Sequence, residues 1–155
     1  MTSDEPNSIS GEETTAAPDH GPARTAPPRA PKAGGYKDLL VWRKGIELVK
    51  EIYRMTKLFP ADERFGLISQ MRRAAVSIPS NIAEGQVRKT TGEFVQFVSH
   101  AEGPLAELDT QLILAVELGY SNTTQVACAA ELVSELKRML NALRRTLVKA
   151  VTSDK

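Results

Sequence analysis

The chain has 155 residues, 41% hydrophobic and 25% charged, with a formal net charge of +1 and a single cysteine, Cys128. That length suits one domain with a real core, while one thiol and two histidines exclude a disulfide-stapled scaffold and a Cys/His zinc site. No apolar run is long enough to span a membrane, and the acidic start MTSDEPNSIS has no signal-peptide character, so a reduced, cytoplasmic protein without a membrane partner is expected.

The charge is divided along the chain. Residues 1–35 carry three bases and five acids, net −2, whereas residues 36–155 carry 17 bases and 14 acids, net +3. The first segment also holds six of the nine prolines and no aromatic residue. It has too little apolar surface to offset the entropy of ordering it, so residues 1–35 are expected to form a disordered Pro-rich tail. The run PPRAPK offers an alternative role as a docking arm. Residues 36–150 then form the folded domain and 151–155 a C-terminal end.

From Tyr36 the apolar period is helical. Leu39, Trp42, Ile46, Val49, Tyr53 and Thr56 form one stripe, and Val41, Gly45, Leu48, Ile52, Met55 and Phe59 a second beside it. Together they cover about 200° of the helix, wider than one bundle core requires. One side, represented by Trp42, Gly45, Leu48 and Ile52, is therefore expected to face another subunit. Pro60 stops the helix.

A second helix is predicted from about Phe65 to Glu84, with Leu67, Met71, Ala75, Ile78 and Ile82 on one face. Pro79 lies inside it, yet the apolar phase continues, so a kinked helix is predicted. Ser77, Ser80 and Asn81 are placed to bond backbone groups freed around the kink. A turn follows from Gly85 to Gly92. Thr90 and Glu93 have capping-box spacing for a third helix, which carries Phe94, Val98, Ala101, Leu105, Leu108, Leu112 and Ala115 inward and ends at Gly119. Gly103-Pro104 is expected to kink it. Asn122 with Gln125 opens a fourth helix with Val126, Ala129, Val133, Leu136, Leu140, Leu143 and Leu147 in heptad rhythm. The fold class is all-α, an antiparallel up-down four-helix bundle.

No catalytic constellation assembles. His20 lies in the tail, and His100 falls on the polar side of the third helix, where a solvated histidine is the simpler reading than a base oriented by Glu107. Cys128 sits next to the fourth helix's apolar stripe and is expected in the core or an interface. Phe97 stands where a Glu-x-x-His metal motif ending at His100 needs a glutamate, and neither a phosphate loop nor a Gly-x-Ser-x-Gly elbow is present. No catalytic residue, metal or cofactor is predicted.

The basic clusters carry more information. Arg72-Arg73 lie on the second helix, Arg88-Lys89 in the following turn, and Lys137-Arg138 and Arg144-Arg145 on the fourth helix with Lys149. They read either as phosphate-binding stripes or as solvated helix faces. No base-reading signature accompanies them, so any nucleic-acid contact would be to backbone and shape.

The segment QMRRAAVSIPSNIAEG, with Ser77, Pro79, Ser80, Asn81, Glu84 and Gly85 at its heart, and its spacing to Phe94 and to Glu107-Leu108-x-x-Gln111-Leu112, resembles the 23S rRNA intervening-sequence proteins over roughly Tyr36 to Leu147. The resemblance implies a small non-catalytic bundle that assembles into a homopentameric ring, encoded within or outside large-subunit rRNA genes. It also implies kinship with the accessory subunits of diversity-generating retroelements, which contact a reverse transcriptase and its RNA. Structured RNA is the expected partner, and a protein scaffold for a reverse transcriptase is the alternative. The long tail and Pro104 depart from the family pattern.

Overall fold

A computed structural model describes residues 35–153; the rest of the Pro-rich tail and the last two residues lie outside the described residues. Among the described residues there are four α-helices and no strand: α1 (Leu40–Thr56), α2 (Leu67–Gln86), α3 (Thr91–Glu117) and α4 (Thr123–Ser153). Short 3₁₀ turns at Gly35–Asp38 and Ala61–Glu63 precede α1 and α2. Each helix packs on the next, and α4 packs on α1, which closes a four-helix bundle. Thr56 of α1 meets Arg72 of α2 while Gly45 approaches Pro79, and Asp109 and Glu102 of α3 meet Lys137 and Arg144 of α4.

The core is drawn from all four helices. Phe94, Leu48, Ile52, Met71, Ile78, Leu105 and Leu136 are fully buried. Each such side chain contributes roughly 1.5–3 kcal/mol relative to exposure. The inward stripe of α1 is Val41, Gly45, Leu48, Ile52 and Met55. Gly45, Leu48 and Ile52 are thus enclosed by the chain itself and cannot present to a second subunit, which corrects the expectation from the sequence. Trp42, Ile46 and Val49 of the other stripe are only partly buried, and Tyr53 is exposed.

Local signals set most helix ends. Thr90 and Glu93 form the full capping box of α3, the Glu93 N–H donating to Thr90 Oγ1 at 3.2 Å and the Thr90 N–H to Glu93 Oε2 at 3.2 Å. Asn122 and Gln125 do the same for α4, at 2.8 and 3.1 Å. Gly119 follows α3 at φ +74, and the paired bonds Tyr120 N–H to Ala115 O and Gly119 N–H to Val116 O make a Schellman stop. α2 starts two residues later than predicted and leaves Phe65 90% exposed. It runs through Gly85 to Gln86, so Gly85 is a helical residue and the turn is shorter than expected. α4 likewise continues past residue 150 to Ser153.

Both internal prolines lie within unbroken helices. Around Pro79, Ser77 Oγ donates to Ala74 O, Ser80 Oγ to Val76 O and Asn81 Nδ2 to Ser77 O, at 2.7, 2.8 and 2.7 Å. These side chains brace carbonyls on either side of Ala75, not the Ala75 carbonyl that the proline leaves without its helical donor.

Glu63 provides the α2 cap that the sequence pattern does not reveal. Its Oε2 accepts from the Leu67 N–H at 2.8 Å, and its Oε1 accepts from the Tyr120 hydroxyl at 2.9 Å. The Leu67 N–H first, and the Tyr120 hydroxyl second, hold the Glu63 carboxyl below the ordinary carboxylate range. A lowered folded value contributes stability that is complete above the unfolded value and is lost as pH falls through the folded one. Glu63→Gln is therefore expected to lower Tm near pH 7 and to shrink the further drop in Tm on acidification to about pH 3. Circular-dichroism melts at the two pH values check this; an unchanged acid drop contradicts it.

Candidate nucleic-acid interface

The eight predicted basic contacts divide into held and open groups. On α2, Arg72 Nε donates to Thr56 Oγ1 at 2.9 Å, and its guanidinium lies 4.5 Å over the Tyr53 ring. Thr56 is buried and its hydroxyl donates in turn to Ile52 O at 2.7 Å, so Arg72 is anchored to the end of α1. Arg73, beside it, is exposed. Just past α2, an Arg88 Nη donates to Glu84 Oε1 at 2.8 Å and the guanidinium lies 4.6 Å over Phe97, while Lys89 is exposed.

On α4 the inner flank is paired with α3. Lys137 Nζ is 2.7 Å from Asp109 Oδ2, and Arg144 Nε is 3.0 Å from Glu102 Oε1 with an Nη donating to Asn141 Oδ1 at 3.1 Å. Arg138 donates to Ser134 Oγ at 3.1 Å. Arg145 and Lys149 are exposed. The sequence therefore located the bases but not their carboxylate partners, which lie across helix boundaries. Exposed ion pairs are worth little, so exchanging one for a phosphate costs little. Arg73, Lys89 and Arg145 have no carboxylate partner among the described residues and need no such exchange.

Two other expectations are resolved by the packing. Cys128 is exposed, beside Glu51, Arg54 and Leu132 between α1 and α4, and is not a core residue. His100 is exposed, in keeping with the simpler reading of a solvated histidine, and its ring meets that of Phe97 at 5.6 Å. Phe97 enters the sequence reading only as the residue that breaks a Glu-x-x-His motif; its i,i+3 relation to His100 is the signal for their contact. Among the described residues, no three His, Cys, Asp or Glu side chains are grouped to hold a metal, and no helix is long and apolar enough to cross a membrane.

The family of 23S rRNA-intervening sequence proteins matches residues 37–142, which takes in α1 to α3 and most of α4. The chain belongs to that family. A solved structure shares the fold: a protein of unknown function from the S23 ribosomal protein family of Bacteroides thetaiotaomicron, 22% identical, with a TM-score of 0.63 over 68% of this chain and 98% of that one. No curated protein matches. The matched span of this intervening-sequence family member includes all the basic positions up to Arg138, and Arg144 and Arg145 lie just beyond it.

Proposed function

We propose that this chain is a non-catalytic, antiparallel four-helix bundle that self-associates into a ring and binds structured RNA through its basic helix faces. The observation that carries the RNA reading is the set of exposed bases Arg73 on α2, Lys89 in the α2–α3 turn and Arg145 on α4, without a carboxylate partner among the described residues, joined to membership of an rRNA intervening-sequence family. Phosphate contacts by such groups add up when copies repeat them around a ring. The paired crossings from Thr56–Arg72 to Gly45–Pro79, and from Asp109–Lys137 to Glu102–Arg144, support the antiparallel course.

The triple variant Arg73→Gln, Lys89→Gln, Arg145→Gln is expected to bind RNA more weakly and with a shallower dependence on salt, since each neutralised phosphate releases counterions. Folding should stay intact, because exposed charges add little stability. Fluorescence anisotropy at several salt concentrations checks it. Salt-insensitive binding, or no binding of wild type to RNA at low salt, rejects the reading.

Self-association is supported by the outward side of α1 and α2, where Trp42, Ile46, Val49 and Val76 line one apolar groove with Tyr36 and Pro79. A face of this kind is a liability on a lone chain. Light scattering at micromolar concentration is expected to show several chains per particle, with a pentamer preferred, and a clean monomer contradicts it. A second reading, a scaffold for a protein partner such as a reverse transcriptase, is favoured by the carboxylates that already pair Arg88, Lys137 and Arg144. It is left standing if RNA binding fails.

A further inference from the structure

We propose that Arg88, Phe97 and His100 form a stacking platform for an unpaired nucleobase, so that the RNA bound by this chain is engaged at a single-stranded element as well as along its backbone. The proposal rests on the RNA-binding reading above and assigns Arg88 a different task from the phosphate contact expected of it.

The geometry begins with Gly85. A Cβ at that position would stand 2.7 Å from Phe97 Cβ, so the missing side chain lets Phe97 press against α2. Phe97 is thereby backed by a helix and partly covered. The Arg88 guanidinium lies over its ring at 4.6 Å, and the exposed His100 ring meets Phe97 at 5.6 Å and 74°. Arg88 thus lies over the Phe97 ring while the His100 ring meets Phe97 edge-on at the α2–α3 junction. Arg88 is fixed by its 2.8 Å bond to Glu84, and its Nε is buried with no acceptor among the described residues. The side chain nevertheless remains 39% exposed.

Charge decides what such a site prefers. Glu84 cancels much of the Arg88 charge and repels a phosphate, which makes Arg88 a poor backbone contact. The ion pair does not alter the guanidinium's planar surface. Guanidinium planes and aromatic rings stack on splayed-out bases. A carboxylate at the rim accepts hydrogen bonds from exocyclic amino groups, which favours adenine or cytosine over uracil. The exposed Lys89, one residue on, is placed for the phosphate of the same nucleotide.

The test uses the full chain, a labelled oligoadenylate and an RNA duplex of equal length, followed by anisotropy. Phe97→Leu keeps an apolar side chain against α2 but removes the ring. It is expected to weaken single-strand binding on the order of tenfold, the scale of one lost stacking partner, with duplex affinity and salt slope unchanged. Equal losses on both RNAs, or no loss on either, overturn the platform while leaving the phosphate-based reading intact. A second measurement is independent of that reading. Adenosine monophosphate is expected to shift the His100 ring protons in NMR spectra, and ribose 5-phosphate is not. Shifts from both, or from neither, overturn the platform. If wild type binds neither RNA, the broader reading falls and the nucleotide titration decides on the platform alone.

Discussion

Phe94→Ala is expected to lower the unfolding free energy by about 3–5 kcal/mol, the usual cost of emptying a large aromatic site in a core. Phe94 is fully buried and heads the largest enclosed side chains, and it follows the α3 capping box by a single residue. Its ring reaches toward α2, where a Cβ on Gly85 would stand 3.2 Å from Cδ2. The cavity therefore opens between α2 and α3 near the end of both helices. Domains of ordinary stability have about 5–15 kcal/mol in total, so this one change removes a large share. A drop in Tm on the order of 10–20 °C follows for a domain of this size. Urea unfolding measures the loss directly. Phe94→Leu, which refills most of the volume, should cost under about 2 kcal/mol. A loss below about 1 kcal/mol for the alanine variant would show that the site collapses and that Phe94 does not hold α2 and α3 together.

The second large effect is expected from the opposite kind of change. Gly85→Val places a Cβ 2.7 Å from Phe97 Cβ, and that atom is fixed to the α3 backbone and cannot swing aside. The helices must part, at a cost of about 1–3 kcal/mol. Glycine inside a helix itself costs about 1 kcal/mol relative to alanine, which offsets only part of the same Cβ clash in the alanine variant. The order of stability should therefore be wild type above Gly85→Ala, with Gly85→Val lowest. Chemical denaturation of the three proteins tests the order. A Gly85→Ala protein well above wild type would mean that the junction is roomier than the Phe97 contact indicates.

Much of this fold was legible because its signals are short-range. Thr90 with Glu93, Asn122 with Gln125, and Gly119 each act within one turn, and each sets the boundary that its sequence predicts. The inward stripes of α3 and α4 were equally readable, since each helix has one dominant apolar phase. α1 has two, and sequence alone does not say which one the chain uses for itself; Leu48 and Ile52 went inward while Trp42 stayed at the edge. Long-range partners were the other blind spot. Glu63 is joined to Tyr120 across 57 residues, and Asp109 to Lys137 across 28, distances at which no periodicity helps. The basic positions of the candidate site were visible, but the rings beneath Arg72 and Arg88 depend on how neighbouring helices cross.

The close fit of Gly45 against Pro79, where an added Cβ would lie 3.2 Å from the proline Cβ, also acts as an axial key between α1 and α2. Sliding α1 by one turn, about 5.4 Å, would bring Val41 or Val49 to the place of Gly45 and drive a branched side chain into the ring. The smallest residue in α1 thus selects one sliding position out of several that the apolar stripes alone would tolerate. Because Trp42 and Val76 ride on the same two helices, the outer groove keeps a preset contour, and whatever seats there meets a mould rather than a yielding surface.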